Sequence, residues 1–282
     1  MSHPISRPRT HAPLPIKRQL RQEAGFGCCV CGCPIIQYHH IIEWSEDHHF
    51  RPDDMMVLCP LHHDQATKGA MPEIEQREFK KNPLNVRNNR VRGRLAIKQD
   101  YCAADMGSIT IVGSGTFLKM SGEEIIGLTL GPDKNIELSI KLYSKNDELL
   151  AEINNNEWIS GDPLPWDIES DWQTLKLRER TRNISISIDA RTVPMRIQAD
   201  LWRKGENFKA DKIGIFINSR SSVSLQNMAL VGCTIDVDRT KDILSIGQQT
   251  GISGLIINWP NKRERLWKAK EAWNKLVQNE QI

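Results

Sequence analysis

Residues 28–69, CCVCGCPIIQYHHIIEWSEDHHFRPDDMMVLCPLHHDQATKG, hold six of the chain's eight histidines and five of its seven cysteines. A chain that gathers its soft and borderline ligands into one stretch builds metal sites there. The opening residues, MSHPISRPRTHAPLPIKRQLRQ, are basic and Pro-rich with no apolar segment, which predicts no secretory signal. Tightly spaced cysteines in that setting predict zinc in a reducing cytoplasm rather than a disulfide framework.

Zinc takes four tetrahedral N or S ligands. Cys28-x2-Cys31 followed by Cys59-x2-His62 supplies them, with Gly32 turning the backbone after the first pair and Leu61 facing inward to pack the site. Cys29 and Cys33 are alternative thiolates, but Cys28 with Cys31 keeps both the x2 spacing and the trailing glycine. The 27 residues between the pairs, 32–58, must hold structure of their own. His39, His40 and His63 are then left over. His62 and His63 are neighbours on a predicted helix and project about 100° apart. They cannot easily serve one tetrahedral metal, and instead face two sites.

The local signals around these ligands read in order. Residues 16–24 form a short helix broken by Gly25-Phe26-Gly27. Residues 35–42 and 55–58 are strands, and 59–67 is a helix opened by Pro60 and stopped by Gly69. Residues 72–81 are a further helix, acidic at its start and basic at its end, closed by Asn82-Pro83.

Charge separates the chain into two kinds of protein. Residues 1–100 carry 15 Lys and Arg against 11 Asp and Glu, and the remainder carries 23 against 24. Any attraction to nucleic acid therefore belongs to the first third. Residues 85–98, NVRNNRVRGRLAIK, carry Arg87, Arg90, Arg92, Arg94 and Lys98 without an acid, as a solvated linker or as a basic arm on nucleic acid.

From residue 108 to about 259, runs such as EEIIGLTL, IELSIKLYS, TLKLRER, NISISIDA, MRIQADLW and ALVGCTIDV alternate with Gly, Asp, Asn and Pro. That pattern predicts a sandwich, barrel or short solenoid. Trp158, Trp166 and Trp172 are either an aromatic recognition surface or packing of this domain, and Cys102 and Cys233 read as small core residues. Residues 261–278 form a helix with Leu266, Trp267, Ala269, Trp273 and Leu276 on an apolar stripe. No apolar run approaches the ~20 residues a membrane span needs.

The ligand pattern resembles the HNH nucleases of the ββα-metal superfamily. The matching features are Cys-x2-Cys, a His-His-Ile pair ending a strand, and Asp-Asp-Met-Met-Val-Leu-Cys-Pro-x-His-His-Asp, over about residues 16–83. The resemblance implies hydrolysis of nucleic-acid phosphodiesters with one divalent metal, Mg2+ or Mn2+, beside a structural Zn2+. It puts His39 and His63 at the metal-ligand positions and His40 at the general base. Neutral imidazole is the right base near pH 7, and a cation beside the scissile phosphate neutralises developing charge. Adjacent strand residues face opposite ways, so both histidines entering one site implies an irregular strand end. Asp54 stands where the family has an Asn that braces the loop and orients the base. An ionised Asp accepts hydrogen bonds but cannot donate them, so Asp54 is expected to serve the catalytic site as a brace or third metal ligand, or to weaken it. Glu43 either contacts the metal or caps the strand, and His48-His49 read as a solvated loop pair.

The expected chain is thus α+β. A flexible basic N-terminus (1–15) precedes a zinc-stabilised HNH module (16–83) and a basic linker (84–104). A mainly antiparallel β-rich regulatory or partner-binding domain (105–260) and a C-terminal helix (261–282) complete it. The expected activity is a cytoplasmic, metal-dependent endonuclease on DNA rather than RNA, away from membranes. Its β-domain would position or control it through a second copy or a regulatory protein. Modules of this type resemble effectors of prokaryotic antiviral defence systems and parts of mobile elements. The rival expectation is a zinc-stabilised module that binds nucleic acid or protein with little or no catalysis.

Overall fold

The computed structural model describes residues 11–131, 133, 135–181, 183–218, 222–238, 243–248, 254–256 and 261–279. The chain is mixed α/β and mostly strand, and divides into two compact units, Met1–Asn88 and Asn89–Ile282.

The first unit opens with α1 (Leu14–Glu23), where Pro15 occupies a first-turn position that needs no N–H donor. Most of the expected flexible N-terminus, residues 1–10, lies outside the described residues. A two-stranded antiparallel hairpin follows, β1 (Gln37–His40) and β2 (Met55–Leu58), in unbroken register from Gln37↔Leu58 to His40↔Met55. After it come α2 (Pro60–Thr67), α3 (Glu73–Lys81) and α4 (Leu84–Asn88). All four β2 side chains are buried, and they pack with Leu20, Ala24, Ala66 and Met71. Burial of a Leu- or Met-sized side chain stabilises by about 1.5–3 kcal/mol, so a run of four anchors this small unit. Leu61 does not join that core. It is 63% exposed, because α2 turns its metal-ligating face inward and its next residue out.

The segment read as a basic linker is instead divided between the two units. Leu84 N–H donates to the Cys29 carbonyl, and the buried Asn85 amide donates to the carbonyls of Gly25 and Gly32. Residues 84–88 therefore brace the cysteine knuckle. Beyond them, β3 (Arg92–Arg94) is an edge strand paired antiparallel with residues Glu157–Ser160, and its flanking Val91 and Leu95 are buried. Apolar residues on either side of the arginines, not the arginines, decide the strand.

Among its described residues the second unit contains an 8-stranded and an 11-stranded sheet. Its strand Ile136–Tyr143 shows why such runs fold this way, with Ile136, Leu138, Ile140 and Leu142 buried and the residues between them partly exposed. Pairing is mainly antiparallel, with parallel exceptions where the chain changes sheet. β4 (Ala103–Met106) and β5 (Ile109–Val112) lie in the larger sheet, and β6 (Gly115–Met120) lies in the smaller. Met228–Val231 runs parallel to β5, and Cys233–Asp238 runs parallel to β6. The sequence ALVGCTIDV, read as one strand, is thus two strands in two sheets. The break is Gly232 at φ +60°, and its backbone lies so close to Gly113 (φ +141°) that a Cβ there would meet Gly232 at 3.0 Å.

The final helix, α5 (Lys262–Asn279), packs Ala269, Leu266, Ala272 and Trp273 against Ala103, Val112, Ala229 and Val231. Trp267 departs from the expected stripe and is 62% exposed, while Arg265 takes a buried place near Thr110. Trp158 is buried, Trp166 half-buried and Trp172 exposed, so these three form no common aromatic surface. Cys102 and Cys233 are buried. Among the described residues no helix is long and apolar enough to cross a membrane.

Candidate metal centre and histidine cavity

Cys28, Cys31, Cys59 and His62 bring their ligand atoms within 4.8 Å of one another. Cys59 Sγ lies 3.1 Å from His62 Nδ1, Cys28 Sγ 3.4 Å from the same nitrogen, and Cys31 Sγ 3.8 Å from Cys59 Sγ. A zinc ion about 2.3 Å from sulfur and 2.0–2.1 Å from nitrogen sets tetrahedral edges of roughly 3.5–3.8 Å. The separations of 3.1, 3.4 and 3.8 Å lie close to that range, so the cluster can bind a zinc-like ion. The knuckle explains the placement. Gly32 sits at φ +72°, its N–H donates to the Cys28 carbonyl at 2.8 Å, and Cys28 N–H donates to the Cys33 carbonyl at 2.8 Å. A Cβ on Gly32 would collide with Asn85 Oδ1. Burial pushes the Cys28 thiol up to about 12, so a bound cation is what makes a thiolate stable there. Cys29 is a core residue, and Cys33 Sγ lies 3.9 Å from the Ile35 carbonyl.

The remaining histidines line a cavity of about 390 Å3 with Glu43, Trp44, Ser45 and Thr67. The regular register through His40 means that no strand irregularity brings them together. His39 packs toward the helices, where its ring meets His63 edge to face with centroids 5.0 Å apart. His40 turns toward the loop, against Trp44, His49 and Phe50. Both reach the cavity because the strand ends at His40 and its rim is open.

Hydrogen bonds assign the tautomers. Gln76 donates its amide to the Met71 carbonyl at 2.9 Å, which leaves its oxygen 3.0 Å from His39 Nε2. Nε2 therefore carries the proton, and Nδ1 of His39 carries the lone pair. Burial, and next the neighbouring His63, push the His39 imidazolium down to about 4, so the ring is neutral at pH 7. His40 Nε2 lies 3.1 Å from the His49 carbonyl, which only accepts, so Nδ1 of His40, a buried atom, carries the lone pair.

His49 is not a solvated loop residue. It is buried, its Nδ1 accepts from Arg51 N–H at 3.1 Å, and its Nε2–H donates to the Ile42 carbonyl at 3.2 Å. Both ring nitrogens are spent tying the ends of the 42–51 loop, which holds the carbonyl that fixes His40. His48 is exposed and stacks its edge on Trp44. Spacing gave no hint of this division between adjacent histidines; Ile42 and Phe50, apolar neighbours within a polar loop, were the available signal.

Asp54 stands apart from the cavity lining. Arg51 Nε donates to its carboxylate at 2.8 Å and Arg77 Nη2 lies 3.3 Å away, and the Arg51 bond holds the group below the ordinary carboxylate range. Its contribution toward the histidines is its main-chain carbonyl, which accepts from Ile41 N–H at 2.8 Å. Glu43 lines the cavity and accepts from Ser45. Among the described residues, only the Cys28–Cys31–Cys59–His62 set gathers three or more donors within metal-binding reach. The histidine cavity thus presents three imidazoles, those of His39, His40 and His63, with Glu43 beside them.

Arg87, Arg90, Arg92 and Arg94 are all exposed, and Arg92 and Arg94 line a cavity of about 670 Å3 with Glu152 and Glu157. Carboxylates beside them temper the local positive field. Comparison with protein-family models, with curated proteins and with solved structures gave no match.

Proposed function

We propose that the first unit is an HNH-type module of the ββα-metal class and that the chain is a metal-dependent endonuclease acting on DNA. The observation that carries the proposal is the division of labour across α2. His62 belongs to the cysteine cluster, while His63 faces His39 and lines the cavity with His40. A hairpin and helix that separate a closed thiolate site from an open imidazole site suit structural zinc in one and hydrolytic chemistry in the other.

In this reading His39, with its lone pair on Nδ1, and His63 hold a divalent cation, Mg2+ or Mn2+. When bound, that cation supplies charge neutralisation at the scissile phosphate and the leaving 3′ oxygen. His40 Nδ1 takes a proton from the attacking water, and the His49 carbonyl, already accepting from Nε2–H, stabilises the imidazolium that results. Two imidazoles next to Glu43 favour Mn2+ over Mg2+ on ligand softness. A brace or metal ligand from the Asp54 side chain is no part of the proposal, because Arg51 and Arg77 already occupy its carboxylate.

A second reading keeps the zinc module as a binding domain without catalysis, and the engagement of Asp54 at the position where the family carries Asn favours it. Plasmid cleavage with Mg2+, with Mn2+ and with neither separates the two. Nicks or breaks that need the added metal support the enzyme, and salt-sensitive binding without cutting supports the binding domain. Control by the β-rich unit, a cytoplasmic setting and a role in defence or mobile elements remain parts of the same proposal.

A further inference from the structure

The histidine cavity has a neighbour. A second cavity, of about 420 Å3, is lined by Lys17, Tyr38, Phe50, His40 and His63 among others. His40 and His63 belong to both linings and so mark the neck between the two. On one side of the neck stands Trp44, half-buried, with its ring centroid 4.9 Å from Phe50 and 5.4 Å from His40. On the other side Lys17 Nζ lies 5.6 Å above the Tyr38 ring.

We infer that the two cavities form one binding site for an unpaired DNA strand, with a base stacked on Trp44 and a flanking phosphate at Lys17. This rests on the nuclease reading and names its substrate form. The size of each chamber is that of a small-molecule pocket. A duplex is read by an element entering its grooves and offers no free base face. Aromatic rings interleaved with a cation are instead the elements of single-strand binding, in which stacking contributes about 1–3 kcal/mol per base. The placement of the histidines at the neck sets the scissile phosphate between the stacked base and the Lys17 phosphate.

The test uses the full chain, zinc-loaded, carrying His40→Ala so that binding is read without cutting. Fluorescence anisotropy compares a labelled oligo-dT with a labelled hairpin duplex of equal length. The expected result is at least tenfold tighter binding of the single strand. Trp44→Ala is expected to lose about tenfold of that affinity and Trp44→Phe to keep most of it, while Lys17→Gln lowers the salt slope by about 0.7. Equal or tighter binding of the duplex overturns the inference, as does unchanged single-strand affinity in Trp44→Ala with normal zinc content. The unmodified chain is then offered both substrates with Mn2+. Cutting confined to the duplex refutes the strand site and leaves the nuclease standing. Strand-selective binding with no cutting of either substrate supports the strand site while removing the nuclease.

Discussion

His40 and His49 are joined by one hydrogen bond whose direction is fixed, the imidazole Nε2–H of the first donating to the main-chain carbonyl of the second at 3.1 Å. The carbonyl is held in place by the side chain of its own residue, which ties Ile42 to Arg51. His40 is thus aimed by a loop that a buried histidine closes.

His49→Ala leaves the Arg51 N–H and the Ile42 carbonyl without that partner, at about 1–3 kcal/mol for each group that stays buried. A lower melting temperature is expected, together with a loss of single-turnover cleavage of about tenfold or more at unchanged zinc content. His49→Asn, which offers both an acceptor and a donor, is expected to recover part of the rate. Cleavage in His49→Ala equal to that of the parent would show that the loop does not aim His40.

Gly32→Ala meets two obstacles at once, a φ of +72° and a collision with Asn85 Oδ1. Asn85→Ala removes the amide that satisfies the carbonyls of Gly25 and Gly32. Each variant is expected to destabilise the first unit by about 2–4 kcal/mol and to weaken zinc retention. Thermal melts monitored with a zinc-release dye check both effects together. Full zinc occupancy and an unshifted melt in Asn85→Ala would remove the bracing role of α4.

Metal removal should unfold the first unit rather than loosen it. Structural zinc sites contribute about 10–16 kcal/mol, as much as or more than the total stability of an ordinary domain, about 5–15 kcal/mol. Because burial raises the Cys28 thiol, zinc binding must displace its proton, so affinity falls as pH falls. Amide exchange after chelation is expected to show loss of protection over α1 to α4 while the strands of the second unit keep theirs.

Asp54→Asn tests the residue that least resembles the family pattern. The Arg51 partner is half exposed, so solvent screening leaves the pair a small contribution. Its lowered carboxyl adds stability above the ordinary carboxylate value, which disappears as pH falls through the lowered one. The variant is expected to change cleavage by less than about tenfold. A loss of a thousandfold or more would place its carboxylate in the chemistry after all.

The cysteine cluster was legible in the sequence because ligand spacing is a local constraint, with x2 fitting one knuckle and one helical turn. Strands such as Ile136–Tyr143 were legible because burial there alternates residue by residue. Other features depended on groups far apart in the chain. ALVGCTIDV reads as one apolar run through Gly232, and only the pairing of its halves with β5 and β6 shows that the chain changes sheet there. Arg92–Arg94 reads as part of a solvated linker or a basic arm because its pairing partner lies some sixty residues away, at Glu157–Ser160. His49 is buried by hydrogen bonds rather than by apolar character, so apart from the apolar Ile42 and Phe50 of its loop its role left no mark on hydropathy. Trp267 and Arg265 exchanged expected places on α5, since an aromatic residue does not by itself mark the packed face.

The central claim is that His40 is the base of a metal-dependent nuclease. The direct measurement is plasmid cleavage by His40→Ala beside the unmodified chain, with Mn2+ and with Mg2+, at matched zinc content and matched melting temperature. Metal-dependent cutting by the unmodified chain and a loss of at least about a hundredfold in the variant are expected. Equal cutting by the two proteins, or none by either, would contradict it.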